Sequence, residues 1–448
     1  MLRRLRSLVP LLLLALLSGN GIAHPEVLRD LRTYPQDCTF YLKPDSAHRE
    51  ILGPGRQEEL HKRFQSMLFM PWHKDQPTRS KVELLWDFET TRNNPGYGEN
   101  KREHTAQWVD ALHRNALLEN YPNAGFRGIT VTHSNLRTLP THKPRFTNPD
   151  DAAEGYPFDS FQKSALPANT PVFVSHTSED KEWVFLESHV ASGWVSARDV
   201  AQVDGGFAEQ WENAQPIAIL QDDLPVVDVH GIFLFKASIG SQFPLLGEDQ
   251  GRFHILVADA DSNRHAVIRQ AWLPSNSATR KPLKLTRANV ARLCNALMGN
   301  PYGWGGLYGN RDCSSMVKDL FAPFGLWLPR HSSYQATEGG RFIPLETTNP
   351  GEKVHLIRRH AIPFLTLLWA KGHIMVYIGE HRGEPLVFHT MWGVKTRDIF
   401  GREDTKVVGH AAVTSLHPGS ELNGFSRRSS NLLSRIVGMT ILVEAQQP

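Results

Sequence analysis

Cys313 stands in a setting suited to a nucleophile. Pro301-Tyr302-Gly303-Trp304-Gly305-Gly306 precedes Asp312-Cys313-Ser314-Ser315, and an apolar run follows through Phe321. The glycines allow a sharp turn or positive φ just ahead of the cysteine. Asp312 or Ser314 can cap a helix that begins there. Cys313 then sits in the first turn, where unpaired amide N–H groups and the helix dipole favour a thiolate. The next chemical signal is Gly372-His373-Ile374-Met375-Val376-Tyr377-Ile378-Gly379, a strand bounded by glycines. A turn at Glu380 to Glu384 leads on to Pro385-Leu386-Val387-Phe388-His389, so a hairpin places His373 and His389 on neighbouring strands. Acyl transfer by a thiolate needs one imidazole within reach of the sulfur and a third group that holds the ring in its useful tautomer. The chain has 21 histidines, so one near a cysteine means little. The ordered set of glycine turn, Asp-Cys-Ser and two strand histidines carries the signal. A zinc site fits less well, because no Cys-x-x-Cys or His-Glu-x-x-His spacing is present. Neither a metal nor a cofactor is expected.

These groups must be positioned by a chain of 448 residues, long enough for about three domains. Hydrophobic content of 40% and charged content of 21% are ordinary for globular protein. A formal net charge of +3 suits an anionic wall or membrane surface. No basic block interleaved with aromatics marks a nucleic-acid groove, so nucleic acid is not expected as a partner. After residue 23 comes a helical segment, with Arg56 to Met70 and Thr105 to Leu118 carrying helical periodicity around the turn-rich Arg92 to Asn100. From Arg127 short strands are expected at 128–132, 171–175, 182–186 and 193–195, as in a small barrel. A second set at 226–229, 232–235, 253–257 and 266–268 predicts a second all-β module. The Leu139 to Ser164 connection in the first module is long enough to be functional. Its Asp150, Asp151, Glu154, Tyr156 and Asp159 are groups suited to holding a peptide ammonium.

The N-terminus reads as an export signal. Arg3, Arg4 and Arg6 precede the apolar run Leu8 to Leu17, and Gly21-Ile22-Ala23 offers small residues for cleavage after Ala23. The apolar run is shorter than the ~20 residues that span a bilayer, so no membrane anchor is expected. The expected location is the periplasm or extracellular envelope. Only Cys38, Cys294 and Cys313 are present, so at least one thiol is free in an oxidising compartment. Cys294 falls in an apolar helical pattern from Val290 to Met298 and reads as structural, with Cys38 a candidate partner for it.

The quoted motifs, together with Leu328-Pro329-Arg330-His331-Ser332-Ser333-Tyr334-Gln335, resemble those of NlpC-type papain-like cell-wall cysteine peptidases. The upstream β modules resemble the bacterial SH3-like domains of a subgroup of these enzymes. The resemblance implies an α+β chain. Its parts are a signal peptide (1–23), a helical N-terminal docking segment (24–125), SH3-like barrels at 126–205 and 218–276, and a papain-like domain at 285–445. It implies cleavage of peptidoglycan stem peptides between γ-D-glutamate and a diamino acid. Cys313 matches the nucleophile, His373 the base, His389 the group that orients it, and Tyr302 the aromatic hydroxyl near the reacting carbonyl. Asp312 and Ser332 match positions that in SH3-bearing relatives help hold the free amine of an N-terminal L-alanine, and Ser314 lines the same pocket. Ser315 stands where many relatives have glycine. A monomer is expected. A wall-binding scaffold of little activity, or an acyltransferase on the same residues, are the alternative readings of this pattern.

Overall fold

The computed structural model describes residues 28–151, 153–345, 349–397, 403–422 and 431–444. The export signal and its cleavage point therefore lie outside the described residues. The N-terminal segment contains α1 (Arg29–Thr33), α2 (Pro44–Ala47), α3 (Pro54–Phe69), α4 (Lys81–Asn93) and α5 (Ala106–Ala116). Pro54 opens α3 with φ already set, Ser80 and Glu83 form a reciprocal capping box on α4, and Thr105 caps α5. The buried side chains of these helices tie the other parts together. Phe64 and Leu68 share a core with Ile129 and Ala201 of the first barrel, Leu256 and Ala258 of the second, and Ala322 of the C-terminal domain. Trp72 donates its indole N–H to the Gly128 carbonyl at 2.7 Å, which satisfies the polar end of a fully buried ring.

The first barrel comprises β1 (Phe126–Thr130), β2 (Ser134–Arg137), β3 (Gln162–Leu166), β4 (Pro171–Thr177), β5 (Trp183–Ser188), β6 (Ser192–Ser196) and β7 (Val200–Gln202), in the order β3-β2-β6-β5-β4-β1-β7. Strands β2 and β3 were not among those expected, and the long connection runs between them. Helix α6 (Gly205–Asn213) leads to the second barrel. This consists of β8 (Pro216–Ile219), β9 (Leu224–Val227), β10 (Phe233–Ala237), β11 (Gln242–Asp249), β12 (Arg252–Ala260), β13 (Ala266–Pro274) and β14 (Ala278–Arg280). Its strands reach beyond 218–276 at both ends, because β14 pairs with β8 along the edge of a β13-β12-β11-β8-β14 sheet.

The C-terminal domain opens with α7 (Arg287–Leu297) and α8 (Cys313–Phe321), continues through α9 (Ser332–Glu338), and carries a six-stranded antiparallel sheet. The sheet is formed by β15 (Arg341–Pro344), β16 (Thr366–Ala370), β17 (His373–His381), β18 (Glu384–Arg397), β19 (Glu403–Ser415) and β20 (Ile436–Ile441). Its order is β15-β20-β16-β17-β18-β19, with α10 (Pro350–His360) and α11 (Leu432–Arg435) packed at its margin. The alternation of β17 has the expected consequence. Ile374, Val376 and Ile378 enter the core with Val317 and Leu320 of α8, while Met375 and Tyr377 join a second core on the other face. Cys38 and Cys294 lie in the α8-side core as free, buried thiols that hydrogen-bond each other.

Candidate active site

Asp312 caps α8. Its Oδ1 accepts the Ser315 N–H at 2.9 Å while the Ser315 hydroxyl accepts the Asp312 N–H at 3.0 Å, a capping box that fixes Cys313 as the first helical residue. Ser315 thus completes the cap. Asp312 has a second task, unforeseen from sequence. Arg330 meets its carboxylate with both terminal nitrogens, Nη2 to Oδ2 at 2.6 Å and Nη1 to Oδ1 at 3.1 Å, in a buried fork. Burial alone would raise the Asp312 pKa, but Arg330 and the capping donors hold it below the ordinary carboxylate value. Arg330 also reaches the Ser314 hydroxyl at 2.8 Å and, through Nε, the Ser164 hydroxyl of the first barrel at 2.9 Å.

His373 opens β17, and its Nε2 lies 2.7 Å from Nδ1 of His389 on β18. His389 is fully buried, and its Nε2 is 3.0 Å from Thr414 Oγ1 on β19. The Thr414 hydroxyl donates to the Ser415 carbonyl at 2.8 Å. That last bond fixes the tautomers by elimination. Thr414 has used its proton, so it accepts from His389 Nε2–H; His389 Nδ1 is then an acceptor, and His373 donates Nε2–H to it. The lone pair of His373 is left on Nδ1, the nitrogen free to serve the cleft. Cys313 Sγ receives the backbone N–H of Ile374, the neighbour of His373.

Electrostatics depart from the expectation of a resting thiolate. Burial, reinforced by the Asp312 charge, pushes the Cys313 thiol up to about 12 despite the N–H groups of Ile374 and Ser314. Burial and the nearby Arg435 push His373 down to about 4. Burial thus disfavours the charged form of both groups, against the thiolate that the helix start alone would favour. Tyr302 is held as a protonated phenol by burial and by the Asp312 charge. Its backbone N–H bonds the Gly409 carbonyl of β19 at 2.8 Å, which anchors it across from α8.

Tyr302, Asp312, Cys313, Ser314, Ser332 and His373 all line one cleft of about 660 Å³, with His389 behind His373 as its support. The cleft also takes Ala153, Phe158, Gln162 and Lys163 from the long connection and strand β3 of the first barrel. Three of the four acids of that connection are engaged elsewhere, and the fourth, Glu154, does not line the cleft. Asp159 is buried against Arg137 at 2.6 Å, Asp150 pairs with Lys101 at 2.5 Å on the surface, and Asp151 caps a local turn at Ala153. The connection reaches the cleft through an aromatic residue instead. Phe158 packs edge-on against Trp304, with ring centroids 5.2 Å apart, and against Trp392 at 6.3 Å. Trp392 occupies a β-bulge between Met391 and Gly393 of β18, a distortion that re-aims a side chain without a sequence signature. Arg330 had a fainter signal: a capping Asp buried beside Cys313 requires a cation. Among the described residues no group of three His, Cys, Asp or Glu is placed to hold a metal ion, and no helix is long and apolar enough to cross a membrane.

Four family models match the chain. They are an N-terminal NLPC_P60 stabilising domain over 7–121, an SH3 domain of SH3b1 type over 144–196, an SH3 domain of SH3b2 type over 204–250, and the NlpC/P60 family over 299–403. Among solved structures, the chain is similar to an NlpC/P60 endopeptidase from Photobacterium damselae subsp. piscicida. The identity is 29% and the TM-score 0.79, over 92% of this chain and 98% of that one. An NlpC/P60 family protein from Bacillus cereus ATCC 10987 aligns at 15% identity and a TM-score of 0.48, over 71% of this chain and 100% of that one. No curated protein matches the chain.

Proposed function

The chain belongs to the NlpC/P60 family of cysteine peptidases and carries two SH3b domains, and from that premise we propose that it cleaves peptidoglycan stem peptides between γ-D-glutamate and the diamino acid. The observation that carries this reading is the ordered chain His373, His389, Thr414 beside a cysteine at a helix start. As Cys313 Sγ attacks the amide carbonyl, its proton passes to His373 Nδ1. The tetrahedral oxyanion is met by N–H groups at the start of α8 and by the Tyr302 hydroxyl. Its collapse breaks the C–N bond, and imidazolium His373 gives its proton to the departing amine. Water, deprotonated by His373, then attacks the thioester and releases the carboxylate and the Cys313 thiol. His389 and Thr414 act through His373, holding its tautomer.

The enzyme is proposed to favour peptides with a free N-terminal L-alanine, with Asp312, Ser314 and Ser332 lining the amine end. Because Arg330 offsets the Asp312 charge, the selection rests largely on shape: Phe158 and Trp392 close that end against a substituent on nitrogen. The protein is further proposed to act as a monomer outside the cytoplasm after loss of 1–23, with 24–125 as docking segment, 126–205 as first barrel and 285–445 as peptidase domain. Mass spectrometry of L-Ala-γ-D-Glu-diamino acid peptides incubated with the enzyme tests the bond. Release of L-Ala-γ-D-Glu is expected, with none from Cys313→Ala. Cleavage at another bond, or turnover by a folded Cys313→Ala chain, would overturn the reading.

A further inference from the structure

The cleft holds more positive charge than the chemistry at Cys313 uses. Among the described residues its lining cations are Lys163, Arg330, Lys371, Lys395 and Arg435, against Asp312 as the one carboxylate. Arg330 is committed to Asp312, and Lys163 has the Asp87 charge nearby. Lys371 and Arg435 are different. Both are exposed to solvent, and Arg435 Nη2 donates to the Lys371 carbonyl at 3.3 Å, which ties α11 to the turn between β16 and β17. Among the described residues neither side chain makes an ion pair.

Their position gives this charge a substrate. Lys371 is two residues before His373, and Arg435 is close enough for its charge to depress the His373 pKa. His373 must hand its proton to the departing amine, so the leaving half of the substrate lies on this side of Cys313. Asp312 and Ser314 come from the start of α8 and Phe158 from the first barrel, elements separate from α11 and the β16–β17 turn. Resting on the endopeptidase reading above, we propose that Lys371 and Arg435 form a carboxylate subsite for the leaving residue. Stem peptides whose diamino acid bears a side-chain carboxylate, as 2,6-diaminopimelate does, are then preferred to those with lysine. Diaminopimelate offers each cation an acceptor, whereas the lysine side chain brings only an ammonium toward two like charges.

The test compares kcat/KM of the chain from His24 onward on L-Ala-γ-D-Glu-X, with X as meso-diaminopimelate, its side-chain carboxamide, or L-lysine. The diaminopimelate peptide is expected to be cleaved about tenfold faster than either competitor, a factor in keeping with solvent-exposed charges. The ratio should shrink in ~1 M salt and fall toward one in the Lys371→Gln/Arg435→Gln double variant, while Arg435→Lys keeps most of it. Equal rates on all three peptides overturn the subsite and leave the endopeptidase standing; a ratio that survives in the double variant also overturns the subsite. Cleavage of none of them overturns the endopeptidase reading and the subsite with it. A matched peptide with D-isoglutamine at the second position supplies the remaining arm. If the double variant loses its response to that carboxylate and not to the diamino acid, the two cations read the acyl half and the proposal is wrong.

Discussion

The two barrels of this chain are the same kind of module put to different uses. The first reaches into the cleft: Gln162 donates to the Gly305 carbonyl at 3.0 Å, Trp304 donates to the Asp159 carbonyl at 3.0 Å, and Phe158 lines the site. The second contributes no lining residue to the cleft and instead grips the helix behind it. Its Asp222 takes both terminal nitrogens of Arg311 at 2.5 and 2.9 Å, and Arg311 in turn holds Asp319 of α8 at 2.7 Å. On the proposed function the first barrel would bear on which substrate enters, whereas the second bears on how firmly α8 is held. Fold similarity alone does not divide those roles; the contacts do.

The sharpest way to break this division is Arg311→Ala. It removes a buried guanidinium that bridges two half-buried carboxylates, leaving Asp319 with Lys318 and Asp222 with Asn300 and the Ile239 N–H, and should cost about 3 kcal/mol in a denaturant titration. At temperatures where the variant stays folded, its preference between free and N-acetylated stem peptide should match the parent. A changed preference would mean that the second barrel also selects substrate.

His389→Ala belongs to neither barrel and is the next largest effect, a loss of about 10²-fold in kcat/KM with the N-acetyl discrimination intact. Its pH profile is the more telling readout. His373 must be neutral to take the thiol proton, so the parent should be active above its depressed pKa and lose activity as pH falls through about 4. In His389→Ala the imidazole gains solvent, and that acid limb should move up toward the ordinary value of about 6.5. An unmoved limb would deny His389 a part in setting the state of His373.

Phe158→Ala tests the first barrel directly. The rate ratio between free and N-acetylated peptide should fall about tenfold, with little change in the unfolding midpoint. The reverse pattern would make Phe158 a packing residue and dissolve the contrast between the barrels. The smallest effect is expected of Thr414→Val, which removes the hydrogen bonds to His389 and to the Ser415 carbonyl; the one to His389, worth about 1 kcal/mol, is the one that bears on turnover, and its loss should lower kcat about fivefold. A larger loss would place more of the tautomer control at Thr414 than at His389.

What could be read from the sequence was local. The cap at Asp312, the first-turn position of Cys313 and the β17–β18 hairpin each depend on residues a few positions apart, and each stands as expected. Strands β2 and β3 were missed because Ser134–Arg137 and Gln162–Leu166 contain no β-branched or aromatic residue. Strand β11 includes Pro244 and Gly247, which read as breaks. The Asp312–Arg330 fork, Thr414 and Trp392 escaped for another reason. A sequence supplies donors and acceptors but not their partners across the fold. Asp150 and Asp159 show the same gap from the other side, since acids that looked available are satisfied by Lys101 and Arg137. The charge state of the nucleophile follows this pattern too. The helix start, a local feature, argues for a thiolate, whereas burial, a tertiary one, pushes the thiol up.

The glycine pair ahead of the nucleophile carries one more consequence. Gly305 and Gly306 both have positive φ, +58° and +85°, and a Cβ on either would lie 2.6 Å from an atom of the first barrel, Gln162 Cγ or Ala165 Cβ. The stretch that reads as a sharp turn before the cysteine is thus also a socket in which another module is seated. A shortened chain comprising the peptidase alone would leave that socket open, with Trp304 and the Gly305 carbonyl facing water. Recombination that exchanged one barrel for another would need to carry Gln162 and Ala165 along with it. For shuffling and inheritance, the first barrel and the peptidase behave as one cassette, although some hundred residues of chain lie between them.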